Sequence, residues 1–300
     1  MRVLLLYFSG TGHTERCALA LADALAEQGH EAVLYRYRSD APLPYEVGEF
    51  DLLGIGYPIH AFNVPEAFHR FLKALPSAQK PYFIFKVSGE PFHVNDASSY
   101  HSFRALRKKG YALIAEKHFL MPYNIMFRYK DALAKQMALY LKPLCKAFVL
   151  GILEERPERI KYRWDRVVFS FLLRIEWIAP KCNSPFIRVK KDCVSCEKCV
   201  RDCPTGAIVR NEKGRLVFQA SKCAMCMRCA MECPVDAISY GFMNPWKVHG
   251  SYPFEKLLSD PSIDPHFVHE GMKGYFRLFL PYFRKADALL RQYGIPDPLA

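Results

Sequence analysis

No uninterrupted apolar run in this 300-residue sequence approaches the roughly 18 residues needed to cross a bilayer, so no transmembrane segment is expected. Met1–Phe8 lacks the length and cleavage site of a signal peptide and is better read as a first strand. The ten histidines include no H-E-x-x-H or other metal spacing. There is no G-x-G-x-x-G stretch, and no lysine follows the glycines of the one Ser/Gly/Thr-rich loop near the N-terminus. A dinucleotide fingerprint and a Walker loop are therefore both excluded. RNP, helix-turn-helix and zinc-finger patterns are also missing, and with them any expectation of nucleic acid.

What is present is ample apolar material and an excess of positive charge. Hydrophobic residues make up 51% of the chain, enough for a sizeable core, and the length suits two domains with a tail. The formal charge of +12 is spread over both halves, +5 in 1–150 and +7 in 151–300. A diffuse excess of this kind favours acidic partners or anionic surfaces.

Cysteine is concentrated. Eight of the eleven fall in CVSCEKCVRDCP, starting at Cys193, and CAMCMRCAMECP, starting at Cys223. Each run is C-x2-C-x2-C-x3-C-P, and the second begins 30 residues after the first. This spacing resembles that of bacterial two-cluster ferredoxins, in which the fourth cysteine of each run ligates the other cluster. The resemblance implies one [4Fe–4S] cluster on Cys193, Cys196, Cys199 and Cys233, and a second on Cys223, Cys226, Cys229 and Cys203. Two zinc sites are the competing reading, but zinc needs four ligands and has no use for three cysteines in C-x2-C-x2-C. Phe186–Val189 and Leu216–Phe218 are the expected strands before each loop. Clusters carrying about −2 each would bring the chain to roughly +8. Ligand cysteines must stay reduced, which points to the cytosol. Cys17 and Cys145 fit helical core stripes; Cys182 is left without a role.

The N-terminal half alternates strand and helix. Arg2–Phe8, Ala32–Tyr37, Asp51–Tyr57, Tyr82–Val87 and Tyr111–His118 read as strands, the first a nearly continuous apolar run. Helical spacing recurs from Cys17 to Leu25 and over Pro65–Leu75, Ser98–Lys109 and Asp131–Ile152. Such βα units imply a doubly wound parallel sheet. The first loop, Ser9-Gly10-Thr11-Gly12-His13-Thr14, offers hydroxyls and backbone N–H groups at a helix N-terminus, where a phosphate is stabilised.

Leu5-Leu6-Tyr7, Ser9, Gly12, Thr14, Ala18 and Leu21 match the flavodoxin phosphate-loop signature, and the N-terminal half resembles that family. The resemblance implies FMN, its phosphate held by the hydroxyls of Ser9, Thr11 and Thr14 and by the N–H groups of Gly10, Thr11, Gly12, His13 and Thr14. The alternative is an ordinary βα turn rich in small residues. In this fold the flavin sits beyond the carboxyl ends of the strands. The loop candidates are Tyr57, Pro58, His60 and Phe62, with Phe92, for the ring, and the backbone of Ser88, Gly89 and Glu90 for its edge. The chain departs from many flavodoxins in being basic and in lacking an obvious Trp/Tyr pair.

The whole chain resembles a flavodoxin–ferredoxin fusion. The expected divisions are 1–153, flavodoxin-like and FMN-binding; 154–181, a linker helix; 182–243, a small α+β two-cluster ferredoxin; and 244–300, a docking tail. Trp164, Val167, Val168, Phe171, Leu172, Ile175 and Ile178 form the linker stripe, read as packing on one domain, with a membrane-surface helix as the sharper reading. Met272, Phe276, Phe279, Phe283, Ala286 and Leu290 form a basic-flanked stripe in the tail, again read as packing, with Pro281 expected to kink or break it. The leading function is a cytoplasmic electron carrier joining clusters and FMN between protein donors and acceptors, some of them acidic. A reductase acting on a small organic substrate beside His60, Tyr57 or Asn124 is the second reading. A flavin-free docking platform, with peripheral membrane contact not favoured, is the third.

Overall fold

Alternate residues of the first strand face opposite sides, and each side is buried under its own layer of helices. A computed structural model describes residues 1–300 apart from the side chains of Ile175 and Glu176. Strands β1 (Arg2–Tyr7), β2 (Glu31–Arg36), β3 (Leu52–Pro58), β4 (Pro81–Ser88) and β5 (Ala112–Leu120) form one parallel sheet in the order β2-β1-β3-β4-β5. That order is the flavodoxin-like doubly wound arrangement, with its topological switch between β1 and β3.

Val3, Leu5 and Tyr7 of β1 join one core with helices α1 (His13–Glu27) and α4 (Asp131–Leu153). Leu4, Leu6 and Phe8 join the other, with α2 (Glu66–Ala74) and α3 (Tyr100–Arg107). Cys17 and Cys145 meet inside the first core as free thiols, 4.0 Å apart. The edge strand β5 is covered by the segment after α4: Glu116 N–H donates to the Glu158 carbonyl at 2.8 Å, and Lys117 pairs with Glu158 at 2.6 Å. Covering an edge in this way removes a row of unpaired backbone groups.

α4 corrects one expectation. By length and composition it could cross a membrane, although no uninterrupted apolar run extends along it. Here it is a core helix, packed against α1, the short α9 (Phe254–Ser259) and α10 (Leu280–Gln292).

The tail is built into the same core. Phe279, Phe283, Ala286 and Leu290 are buried there, with Met272 and Phe276 packed alongside. Pro281 neither kinks nor breaks α10, because it lies in the first turn, where its missing N–H has no intrahelical partner to lose. Val248, Tyr252 and Phe254 return the chain to this core.

The linker is the larger departure. The helical pattern up to Pro180 is interrupted: α5 (Trp164–Leu172) ends eight residues earlier, and Pro180 opens the short α6 (Ala179–Asn183). The expected apolar stripe does not pack. Trp164, Val168, Phe171, Leu172 and Ile178 are exposed, while the buried residue of α5 is Ser170. Ile175, also assigned to that stripe, lies outside the described side chains.

The C-terminal unit consists of two antiparallel pairs. β6 (Ile187–Val189) pairs with β9 (Ile238–Tyr240), and β7 (Ile208–Arg210) with β8 (Leu216–Phe218). Two short helices, α7 (Lys198–Arg201) and α8 (Arg228–Met231), follow the cysteine loops at equivalent positions.

Candidate cofactor cleft and cluster sites

The two cysteine loops have the same backbone. Ser195 and Glu197 in the first, and Met225 and Met227 in the second, adopt positive φ of 53°, 58°, 48° and 62°. Non-glycine residues seldom sit there, and single left-handed residues are what coil a loop so tightly. Each turn brings three cysteines to one side.

Cys193, Cys196 and Cys199 line one cavity, and Cys233, from the second run, lines it too. Val189, Val194, Val235 and Ile238 supply its apolar walls. Cys229 lines the same cavity, and Cys203 lies between the runs, packed with Cys199, Cys223 and Cys229; burial, then the neighbouring thiols of Cys226, Cys223, Cys203 and Cys199, push the Cys229 thiol well above its ordinary pKa. At matching positions, Ala207 N–H points at the Cys203 sulfur and Ala237 N–H at the Cys233 sulfur, each at 3.2 Å. Donors so placed favour thiolate over thiol. Among the described residues no three His, Cys, Asp or Glu side chains converge tightly enough for a single metal ion. Four thiols spread around a cavity suit a cluster, whose ligands sit on separate corners.

The second site is a cleft of about 400 Å³ at the carboxyl ends of the strands, within the size range of small-molecule pockets. Ser9, Gly10, Thr11, His13 and Thr14 line one end of it. The loop after β1 is forced into shape by Gly12, at φ +93°, which caps α1. Ser9 Oγ accepts from Glu15 N–H at 3.3 Å, and Thr11 Oγ1 accepts from Asn124 Nδ2 at 3.0 Å. Pro58, His60 and Phe62, after β3, form a second side, where Ala61 and Phe62 have positive φ in a tight turn closed between His60 and Asn63. Ser88, Gly89 and Glu90 follow β4, and Tyr123 lies so close over Gly89 that a Cβ there would meet its ring at 2.3 Å. Glu90 is bonded through its backbone to Ser88 and Asn95, and among the described residues its Oε2 has no hydrogen-bond partner. Burial raises the Glu90 carboxyl pKa, against hydrogen bonds from Tyr123 and Asn95.

The third wall was not foreseen. It is the second cysteine loop, Ser221–Met225 with Met227, and it includes Cys223. An added Cβ at Gly10 would lie 2.7 Å from Cys226 Cβ, so only glycine lets the two loops touch. Arg228 Nη1 donates to the Gly10 carbonyl at 2.7 Å, and the His60 ring bonds the backbone of Ala224.

Residues 192–237 match the family of 4Fe-4S dicluster domains. The chain fits a flavodoxin–ferredoxin fusion. No curated protein matches it. Among solved structures, it is similar to oxidised flavodoxin 2 from Bacillus cereus, at 19% identity over 52% of this chain and 99% of that one, with a TM-score of 0.39. It is also similar to a two-electron reduced flavodoxin from Megasphaera elsdenii, at 20% over 39% and 85%, TM-score 0.34. A third is the Streptococcus pneumonia TIGR4 flavodoxin, at 13% over 60% and 99%, TM-score 0.33. The strand order β2-β1-β3-β4-β5 gives the N-terminal half its flavodoxin-like fold.

Two ring candidates are corrected. Tyr57 does not reach the cleft; the odd–even alternation of β3 turns it into the core, fully buried, with its hydroxyl 3.5 Å from Ser98. Phe92 packs edge-on to Tyr275 instead. Three residues of the fusion escaped the sequence reading. Tyr240, buried, places its hydroxyl 3.8 Å from the Cys223 sulfur. Trp177 lines the cleft and donates to the Val64 carbonyl. Arg228 joins a network between α7 and α8: Lys198 reaches Asp202 at 2.8 Å and Glu232 at 3.0 Å, and Arg228 reaches Glu232 at 3.4 Å. Lys198/Arg228 and Asp202/Glu232 repeat at the 30-residue offset, which was a readable signal.

Proposed function

We propose that this chain is an electron-transfer protein whose C-terminal unit holds two [4Fe–4S] clusters and whose N-terminal cleft holds FMN. The observation that carries the reading is the shared wall: the loop bearing Cys223 and Cys226 is also a side of the cleft. The residues present fit the flavin. A hydroxyl- and N–H-rich loop at the start of α1 suits a phosphate, the switch-point cleft has the volume for a flat ring system, and the orphaned Glu90 Oε2 offers a polar partner at its edge. Ser9, Thr11, Thr14 and the N–H groups of Gly10–Thr14 would hold the phosphate. His60, Phe62 and the backbone of Ser88–Glu90 would flank the ring. When bound, clusters exchange one electron at a time and a flavin one or two, so the pair matches one-electron to two-electron carriers.

The chain's own contribution is spacing and exclusion of water. Cys223 lines the cleft and Cys226 touches Gly10 at its edge; Cys193, Cys196, Cys199 and Cys233, with Cys229, line a cavity formed by residues of the C-terminal unit. Cys196 is exposed there, which supports reading this outer site as the face for protein donors or acceptors. Lys190, Lys191 and Arg188 close by in the sequence favour acidic ones. Anaerobic purification followed by iron, sulfide and flavin analysis tests the reading. About eight irons per chain, as two cubanes require, together with bound FMN would support it; a protein that holds its clusters and takes up no flavin would sink it.

A further inference from the structure

We propose that the outward face of α5 is a docking surface for an anionic lipid bilayer. The helix is mounted inside out. Two of its polar residues face the protein: Ser170 Oγ donates to the Phe62 carbonyl at 3.0 Å and lies 2.9 Å from Asn63 Oδ1, and Arg166 pairs with Asp96, while Asp165 is exposed beside Arg163. Most of its apolar residues face out, Val167 being half-buried and Phe169 packed against Phe62. Trp164 is 79% exposed, Leu172 65%, Phe171 56% and Val168 47%. Positions 164, 168, 171 and 172 fall on one side of a helix with 3.6 residues per turn, and Ile178 beyond it is exposed as well. Bare apolar area of this kind is a standing cost in water unless something covers it in use.

The flanking charge selects the occupant. Between residues 156 and 191 there are ten Lys and Arg against three acidic residues. Lys161 and Lys181, before and after the apolar positions in the sequence, are exposed. Aromatic and leucine side chains on one face with lysine and arginine at the border are the composition of helices that lie in the headgroup layer of anionic membranes. A second copy of this chain is disfavoured, because the same cationic border would face itself. A redox partner has the separate outer cluster cavity to address.

The test uses the full-length, cofactor-loaded protein and sedimentation with vesicles of phosphatidylcholine alone or mixed with phosphatidylglycerol. The protein should partition onto the mixed vesicles far more than onto the neutral ones. The exposed double variant Trp164→Asp/Leu172→Asp should bind at least about tenfold more weakly, with its cluster absorbance unchanged. Lys161→Glu/Lys181→Glu should weaken binding to the mixed vesicles while leaving the apolar face intact. Absence of binding to mixed vesicles would overturn the proposal. So would binding that ignores both variants, or a dimer in solution that Trp164→Asp/Leu172→Asp dissolves, since that would make a second copy the occupant.

Discussion

Arg228 Nη1 lies 2.7 Å from the carbonyl oxygen of Gly10, joining the second cluster loop to the phosphate loop across 218 residues of sequence. The bond is charge-assisted and largely shielded from water, and the same guanidinium pairs with Glu232. Arg228→Met should therefore lower stability by about 1–3 kcal/mol while leaving all eight cysteines in place. Denaturant titration of the cluster-loaded protein reads the loss, and iron content should stay at the wild-type level.

Gly10 and Gly12 make different demands on the backbone. At Gly10 an added methyl meets Cys226 directly; at Gly12 there is open space, and the positive φ is the constraint. Gly10→Ala should disturb the cluster spectrum and cost about 1–3 kcal/mol through overpacking. Gly12→Ala should cost about 1–2 kcal/mol through left-handed strain and leave the cluster spectrum alone. Equal spectral effects in the two variants would contradict the contact.

Ligation should cross between the runs. Cys233→Ala should damage the outer cluster, whose cavity it lines with Cys193, Cys196 and Cys199, and Cys203→Ala the inner one. EPR of the reduced variants distinguishes them. Loss of the inner cluster on removing Cys233 would show that each run ligates its own.

His13 provides a pH test. Burial first, and the Arg16 charge second, push its imidazole pKa down to about 4 from 6.5, against a bond to the Pro122 backbone. Between those values the unfolded chain binds more protons than the folded one. Stability therefore rises with pH across this window and is lost as pH falls from 6.5 toward 4. One such histidine contributes a slope of up to about 1.4 kcal/mol per pH unit. His13→Gln should flatten the pH dependence of the unfolding free energy, read by urea titration, by that much; an unchanged slope would show that His13 is not the group responsible.

The doubly wound sheet was legible in the sequence because its strands are buried on both faces and read as short apolar runs. The cysteine repeat was legible because cluster ligation fixes spacing. What stayed hidden depends on contacts between distant segments. Nothing local marks Arg228 as the partner of Gly10, or the loop at Ala224 as a neighbour of His60. Tyr57 at a strand end resembles a loop aromatic until the register of β3 turns it inward. The inverted mounting of α5 was hidden too, since a helical stripe gives the apolar face but not the direction in which it points.

The central claim is that clusters and flavin site form one device across the Gly10–Cys226 contact. Redox-poised EPR and visible spectroscopy on the anaerobic protein, wild type beside Cys226→Ala, tests it most directly. With FMN bound, the account predicts that flavin in the wild type is reduced at the pace of the clusters by a one-electron donor, and that Cys226→Ala slows this by orders of magnitude while retaining flavin. Flavin reduction that proceeds equally fast without the inner cluster would contradict it.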